Sequence, residues 1–100
     1  MTKEDFAKEI NMDGYTLVDF WAKWCGPCKV LGPIVDRLDE KNPELKVVKI
    51  EVDNARDLAA DFSIRSIPTL VLMKADEVVS LKVGVSKEDD IQAWINEKTS

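Results

Sequence analysis

The segment Tyr15–Trp21 is apolar at nearly every position and runs almost directly into Trp24-Cys25-Gly26-Pro27-Cys28. A run this short, rich in β-branched and aromatic residues, fits a strand buried on both faces of a sheet. Such a strand needs a covering layer above and below, which narrows the fold to a layered α/β architecture. Downstream, Val30, Leu31, Ile34, Val35 and Leu38 recur at the spacing of an amphipathic helix with one apolar stripe. The two cysteines therefore fall at a strand-to-helix turn. Pro33 lies inside the helix and should kink it, because proline cannot donate to the Lys29 carbonyl. Asn42-Pro43 stops the helix.

The flanking sequence extends this unit. Thr2 with Asp5 reads as a capping box opening a first helix, with Phe6 and Ile10 turned inward and Asn11–Gly14 ending it. Lys46–Asp53 reads as a second buried strand, with Val48, Ile50 and Val52 on one face. Asn54 with Asp57 predicts a capped short helix over 55–62. Leu70–Lys74 reads as a third strand, and Ala75-Asp76 turns it into a fourth over 77–83, without the favoured Asn-Gly pair. Gly84 breaks the pattern. Ser86 with Asp89 predicts the cap of a last helix burying Ile91, Trp94 and Ile95. The order is α, βαβ, α, ββα. A crossover makes the first two strands parallel and the hairpin adds antiparallel ones, giving a mixed sheet covered by helices on both faces, in one domain over residues 1–100.

Charge and composition exclude several functions. The net charge is −5 and no basic patch is interleaved with aromatics, which argues against nucleic acid as a partner. No apolar run approaches the roughly 20 residues that span a bilayer, and residues 1–5 carry no apolar leader segment, so the expected compartment is the cytoplasm. Two cysteines are too few for a disulfide-dense secreted scaffold. The chain has no histidine, which removes imidazole general acid–base catalysis and every histidine-containing metal site. Zinc normally takes four ligands, so a lone CxxC supplies only half a site.

What remains for Cys25 and Cys28 is a structural disulfide or reversible redox chemistry, and CxxC beside a βαβ unit favours the latter. The reactive form of a thiol is its anion. Unpaired N–H groups and the positive end of the dipole at a helix N-terminus favour that anion. Pro27 is well tolerated there, since its missing N–H would have no partner. Cys25, first at the helix mouth, is assigned the attack. Cys28, one turn in and expected to be more shielded, suits the resolving role. Asp19, a carboxylate among Leu17, Val18, Phe20 and Trp21, should be poorly solvated and its pKa raised. Lys49, on the neighbouring parallel strand, either sits beside Asp19 and lowers its pKa or points outward as an edge-strand guard.

Taken together, Val18–Ala22, Trp24–Lys29, Pro33, Lys49, Val52-Asp53, Ile64–Thr69 and Lys82–Gly84 resemble the thioredoxin family over nearly the whole chain. Family members usually carry a further strand before the first helix. This sequence starts at that helix, so four strands are expected, with Lys46–Asp53 at an edge. The resemblance implies a thioredoxin fold and a general protein disulfide reductase that uses no organic or metal cofactor. It makes Asp19 the buried acid behind Cys28, able to accept the Cys28 proton, and Pro68 a cis-proline facing the cysteines. It implies a substrate face of Trp24, Gly26, Pro27, Ile67, Pro68, Val83, Gly84 and Val85, where Ile67 offers backbone groups to an extended target. Ordinary hairpin packing is the other reading of Val83 and Val85. The implied partners are a thioredoxin reductase as electron donor and targets such as ribonucleotide reductase, peroxiredoxin or methionine sulfoxide reductase, served by a monomer. Two alternatives differ in kind: an oxidoreductase dedicated to one partner, and a binding module docking through Trp24, Pro68 and Gly84 with incidental thiols.

Overall fold

The computed structural model describes residues 1–100. Its elements are α1 (Lys3–Glu9), β1 (Tyr15–Trp21), α2 (Gly26–Lys41), β2 (Lys46–Glu51), α3 (Arg56–Asp61), β3 (Thr69–Lys74), β4 (Glu77–Val83) and α4 (Glu88–Thr99), with a 3-10 turn, Val52–Asn54, after β2. The four strands form one mixed sheet in the order β2-β1-β3-β4. β1 pairs with β2 in parallel and with β3 antiparallel, and β3 and β4 form the expected hairpin. β2 lies at one edge of the sheet and β4 at the other.

The sheet separates two apolar layers, and β1 feeds both because its side chains alternate. Leu17 packs with Leu31, Val35 and Leu38 of α2 and with Ile91, Trp94 and Ile95 of α4. Val18 and Phe20 pack on the other side with Phe6 of α1 and Leu58 of α3. Asp19, two residues after Leu17, therefore faces the α2 side. Thr2 and Asp5 make the expected reciprocal capping bonds of α1. α2 continues past Pro33 to Lys41.

Four expectations need correcting. Val30 is 58% exposed, because it lies a helical step to the side of the Leu31–Val35–Leu38 stripe. β2 ends at Glu51, since Val52–Asn54 winds into the 3-10 turn and only half-buries Val52. That turn also takes Asn54 out of the capping position, so α3 starts from Ala55 with no side-chain cap. α4 starts from Lys87, not Ser86, and likewise has no side-chain cap. Its first turn carries Glu88, Asp89 and Asp90, whose charges complement the helix dipole. Glu88 is also held by Arg37 and Lys41 of α2, which fixes where the helix begins and keeps its carboxyl below the usual carboxylate range.

Candidate active site

The cysteines sit where β1 hands over to α2. The Cys25 N–H donates to the Ala22 carbonyl (3.2 Å), closing the turn that aims the chain into the helix. Cys25 is the N-cap of α2, with Gly26 and Pro27 entering the first turn. Its sulfur accepts the Cys28 N–H at 3.2 Å, so one of the helix's unpaired donors points at it. The two residues are joined as a disulfide with their Cα atoms 5.3 Å apart. Exposure does not separate them, against expectation: Cys25 is 5% and Cys28 6% exposed. Both pack with Ala22, and Trp21, Val52 and Ile67 lie against this cluster. What distinguishes Cys25 is its capping position.

Beneath the pair is a cavity of about 400 Å³, lined by Asp19, Trp21, Ala22, Lys23, Cys28, Lys29, Gly32 and Lys49. Asp19 is 3% exposed. Its Oδ1 has no hydrogen-bond partner, and neither has the buried indole nitrogen of Trp21. Burial without compensating donors disfavours the carboxylate and pushes the Asp19 pKa up to about 6. Lys49 opposes that rise and Asp36 adds to it. The strand register sets Lys49 directly opposite Asp19, as one of the two sequence readings has it. Its ammonium, however, pairs with Asp36 at 2.5 Å.

The third component is the loop surface next to the cysteines. The Ile67–Pro68 peptide is cis. The Gly84 N–H donates to the Pro68 carbonyl (2.8 Å), which brings the two loops of the expected substrate face together. Gly84 has φ +86°, a conformation that glycine adopts without strain. Ile67 is half-buried, and its peptide groups enter none of the hydrogen bonds within the chain. Gly26 and Pro27 are exposed, and so are Val83 and Val85. Val83 ends β4 and pairs with Thr69 in the hairpin, while its side chain and that of Val85 face solvent. Trp24 is 70% exposed, the most open of the large apolar side chains.

Sequence reasoning missed two residues here. Asp53 accepts a hydrogen bond from the Trp24 indole nitrogen (2.9 Å) and fixes the ring over the surface. Asp36 went unnoticed, although Cys28, Gly32 and Asp36 are four residues apart along one stripe of α2. That spacing, read together with Lys49, is a signal for it.

Comparison with known proteins bears on the whole chain. The family model for thioredoxin matches residues 1–97. Thioredoxin of Bacillus subtilis (strain 168) is 42% identical over 96 residues, covering 95% of this chain and 91% of its own length. Thioredoxin of Rickettsia felis is 41% identical over 98 residues, covering 96% and 93%. Among solved structures, a mutant thioredoxin from Halobacterium salinarum NRC-1 superposes with a TM-score of 0.90 at 36% identity, over 98% of this chain and 86% of that one.

Proposed function

This chain belongs to the thioredoxin family, whose members are thiol–disulfide oxidoreductases, and we propose that Cys25 is its attacking thiolate, Cys28 its resolving thiol and Asp19 the acceptor of the Cys28 proton. The observation that carries the assignment is the Cys25–Cys28 disulfide at the N-terminus of α2, above a cavity it shares with one buried acid. In the reduced protein the helix terminus favours a thiolate on Cys25. That sulfur attacks a target disulfide, and one target sulfur leaves as a thiolate. Cys28 then gives its proton to the Asp19 carboxylate and attacks the Cys25 sulfur. The second target sulfur leaves, and the protein is left with the Cys25–Cys28 disulfide. Two electrons have passed to the target.

A carboxylate whose pKa lies near 6 suits this proton transfer better than an ordinary aspartate. Its affinity is closer to that of a thiol, ordinarily about 8.5, yet it is still mostly ionised at neutral pH. Lys49 limits the rise and keeps the acid available as a base. The target segment docks across Trp24, Gly26, Pro27, Ile67, Pro68, Val83, Gly84 and Val85. Ile67 pairs with it as an added strand would, and the glycines admit its backbone closely.

The whole chain acts as one domain, a monomer of the cytoplasm, re-reduced by a thioredoxin reductase. Its targets are of the ribonucleotide reductase, peroxiredoxin and methionine sulfoxide reductase type, and the thiol pair itself carries the electrons. No helix is long and apolar enough to cross a membrane. The test is the equilibrium potential of the pair together with insulin reduction. Thioredoxin stands at about −270 mV and protein disulfide isomerase at about −180 mV. A value near the first, with turnover lost in Cys25→Ser, supports a general reductant. A value above the glutathione pool would remove it.

A further inference from the structure

We propose that Asp36 is a positioning residue for thiol–disulfide exchange in this chain: it holds the Lys49 ammonium at the rim of the cavity that Asp19 and Cys28 share, and away from the Asp19 carboxylate. The proposal rests on the reading above that Asp19 takes the Cys28 proton.

Two carboxylates compete for one ammonium. Lys49 stands opposite Asp19 in the β1–β2 register and lines the same cavity. Yet its Nζ lies 2.5 Å from Asp36 Oδ1, while Asp19 Oδ1 has no partner. Asp36 can hold it there because of where it falls on α2. Cys28, Gly32 and Asp36 succeed one another at intervals of four along one stripe. Gly32 offers no side chain between them, and the space above its Cα is open.

The Asp36–Lys49 pair is partly exposed, so it adds little to stability. Its effect lies in where it places a charge. A lysine stem is flexible, and its ammonium carries three donors free to choose among acceptors. Asp19 is the one carboxylate that lines the cavity, so without Asp36 it is the acceptor there for the Lys49 ammonium. Pairing with Asp19 would hold that acid ionised and make it a poorer proton acceptor. The negative charge of Asp36 acts in the same direction, raising the proton affinity of Asp19.

Other groups also face this cavity, and none of them is bonded to Asp19. Lys23 of the β1–α2 turn and Lys29 of α2 line the cavity, as does Cys28. β3 presents the uncharged Leu70 opposite Asp19. Glu51, two residues beyond Lys49 on β2, accepts a hydrogen bond from Asn54.

The experiment is an NMR titration of the Asp19 carboxyl carbon in the oxidised protein, in wild type, Asp36→Asn, Lys49→Met and the double variant. Alongside it runs the pH profile of target release from a mixed disulfide. Asp36→Asn should move the Asp19 midpoint down by about half a pH unit or more. Lys49→Met should move it up. In the Lys49→Met background, Asp36→Asn should move it far less, and the acid limb of the release profile should follow the midpoints. An unmoved or raised midpoint in Asp36→Asn overturns the proposal. So does an equal shift with and without Lys49, which would leave Asp36 acting by its field alone. If Asp19→Asn retains the acid limb of release, Asp19 is not the proton acceptor. The titration midpoints then still decide, separately, whether Asp36 governs Lys49.

Discussion

Replacing Asp19 by asparagine should stabilise the oxidised protein at neutral pH, and the gain should vanish in acid. The pKa of Asp19 rises from 3.8 to about 6 on folding, chiefly through burial. Above about pH 6 the carboxyl is ionised in both folded and unfolded chains, and the full burden of a buried charge falls on the folded one. The difference of roughly 2.2 pKa units, at about 1.36 kcal/mol each, gives on the order of 3 kcal/mol. As pH falls from about 6 towards 3.8, the folded protein binds the proton before the unfolded one does, so its stability rises. Below that range both states are protonated and the burden is gone. Asparagine keeps the shape of the neutral acid and never ionises. Guanidinium unfolding at pH 8, 7, 6, 5 and 4 should show the variant about 3 kcal/mol more stable at pH 8. For a domain of this size that is on the order of 10 °C or more in Tm. The two proteins should converge near pH 4. Glu88, whose carboxyl titrates below the usual range, contributes equally to both and cancels in the difference. A gain that stays constant with pH would refute the reasoning, since it would owe nothing to ionisation of Asp19.

Two further outcomes follow from local geometry. Ala75, the first of two residues in the hairpin turn, has φ +51°, where a side chain is strained. Ala75→Gly should raise stability by roughly 0.5–1 kcal/mol after allowing for glycine's greater chain entropy, and an unchanged denaturation midpoint would show that the turn bears no strain. Asp53→Ala should free the Trp24 indole and raise KM for a protein disulfide about fivefold, the equivalent of roughly 1 kcal/mol, while leaving the redox potential of the pair unchanged.

The parts of this fold that were legible in the sequence are those where one physical demand dominates. β1 announces itself because Thr16–Phe20 are all buried, so every position must satisfy the interior. The CxxC motif, and with it the site, is legible because these are the only two cysteines and they follow that strand directly. Capping was only partly legible. Thr2–Asp5 makes the reciprocal bonds its spacing predicts, whereas Asn54 and Ser86 sit in equivalent patterns and cap nothing. At those two helices, neighbouring structure chose the starting residue: the 3-10 turn at Val52–Asn54, and the hold of Arg37 and Lys41 on Glu88. The Ala75 turn was opaque because its positive φ falls on a residue type that carries no turn signal. Asp53 was opaque, and Asp36 left only its helical spacing from Cys28, for another reason. Their partners, Lys49 and Trp24, lie 13 and 29 residues away in sequence, and only the folded sheet brings them together.

The division of labour between the two thiols is tested most directly by trapping. Cys28→Ser, incubated with a disulfide-bearing protein target, should accumulate a stable mixed disulfide, and peptide mass mapping should place the target on Cys25. Cys25→Ser under the same conditions should accumulate little or none. An adduct that forms equally well on Cys28 in the Cys25→Ser variant would contradict the assignment of attack to Cys25.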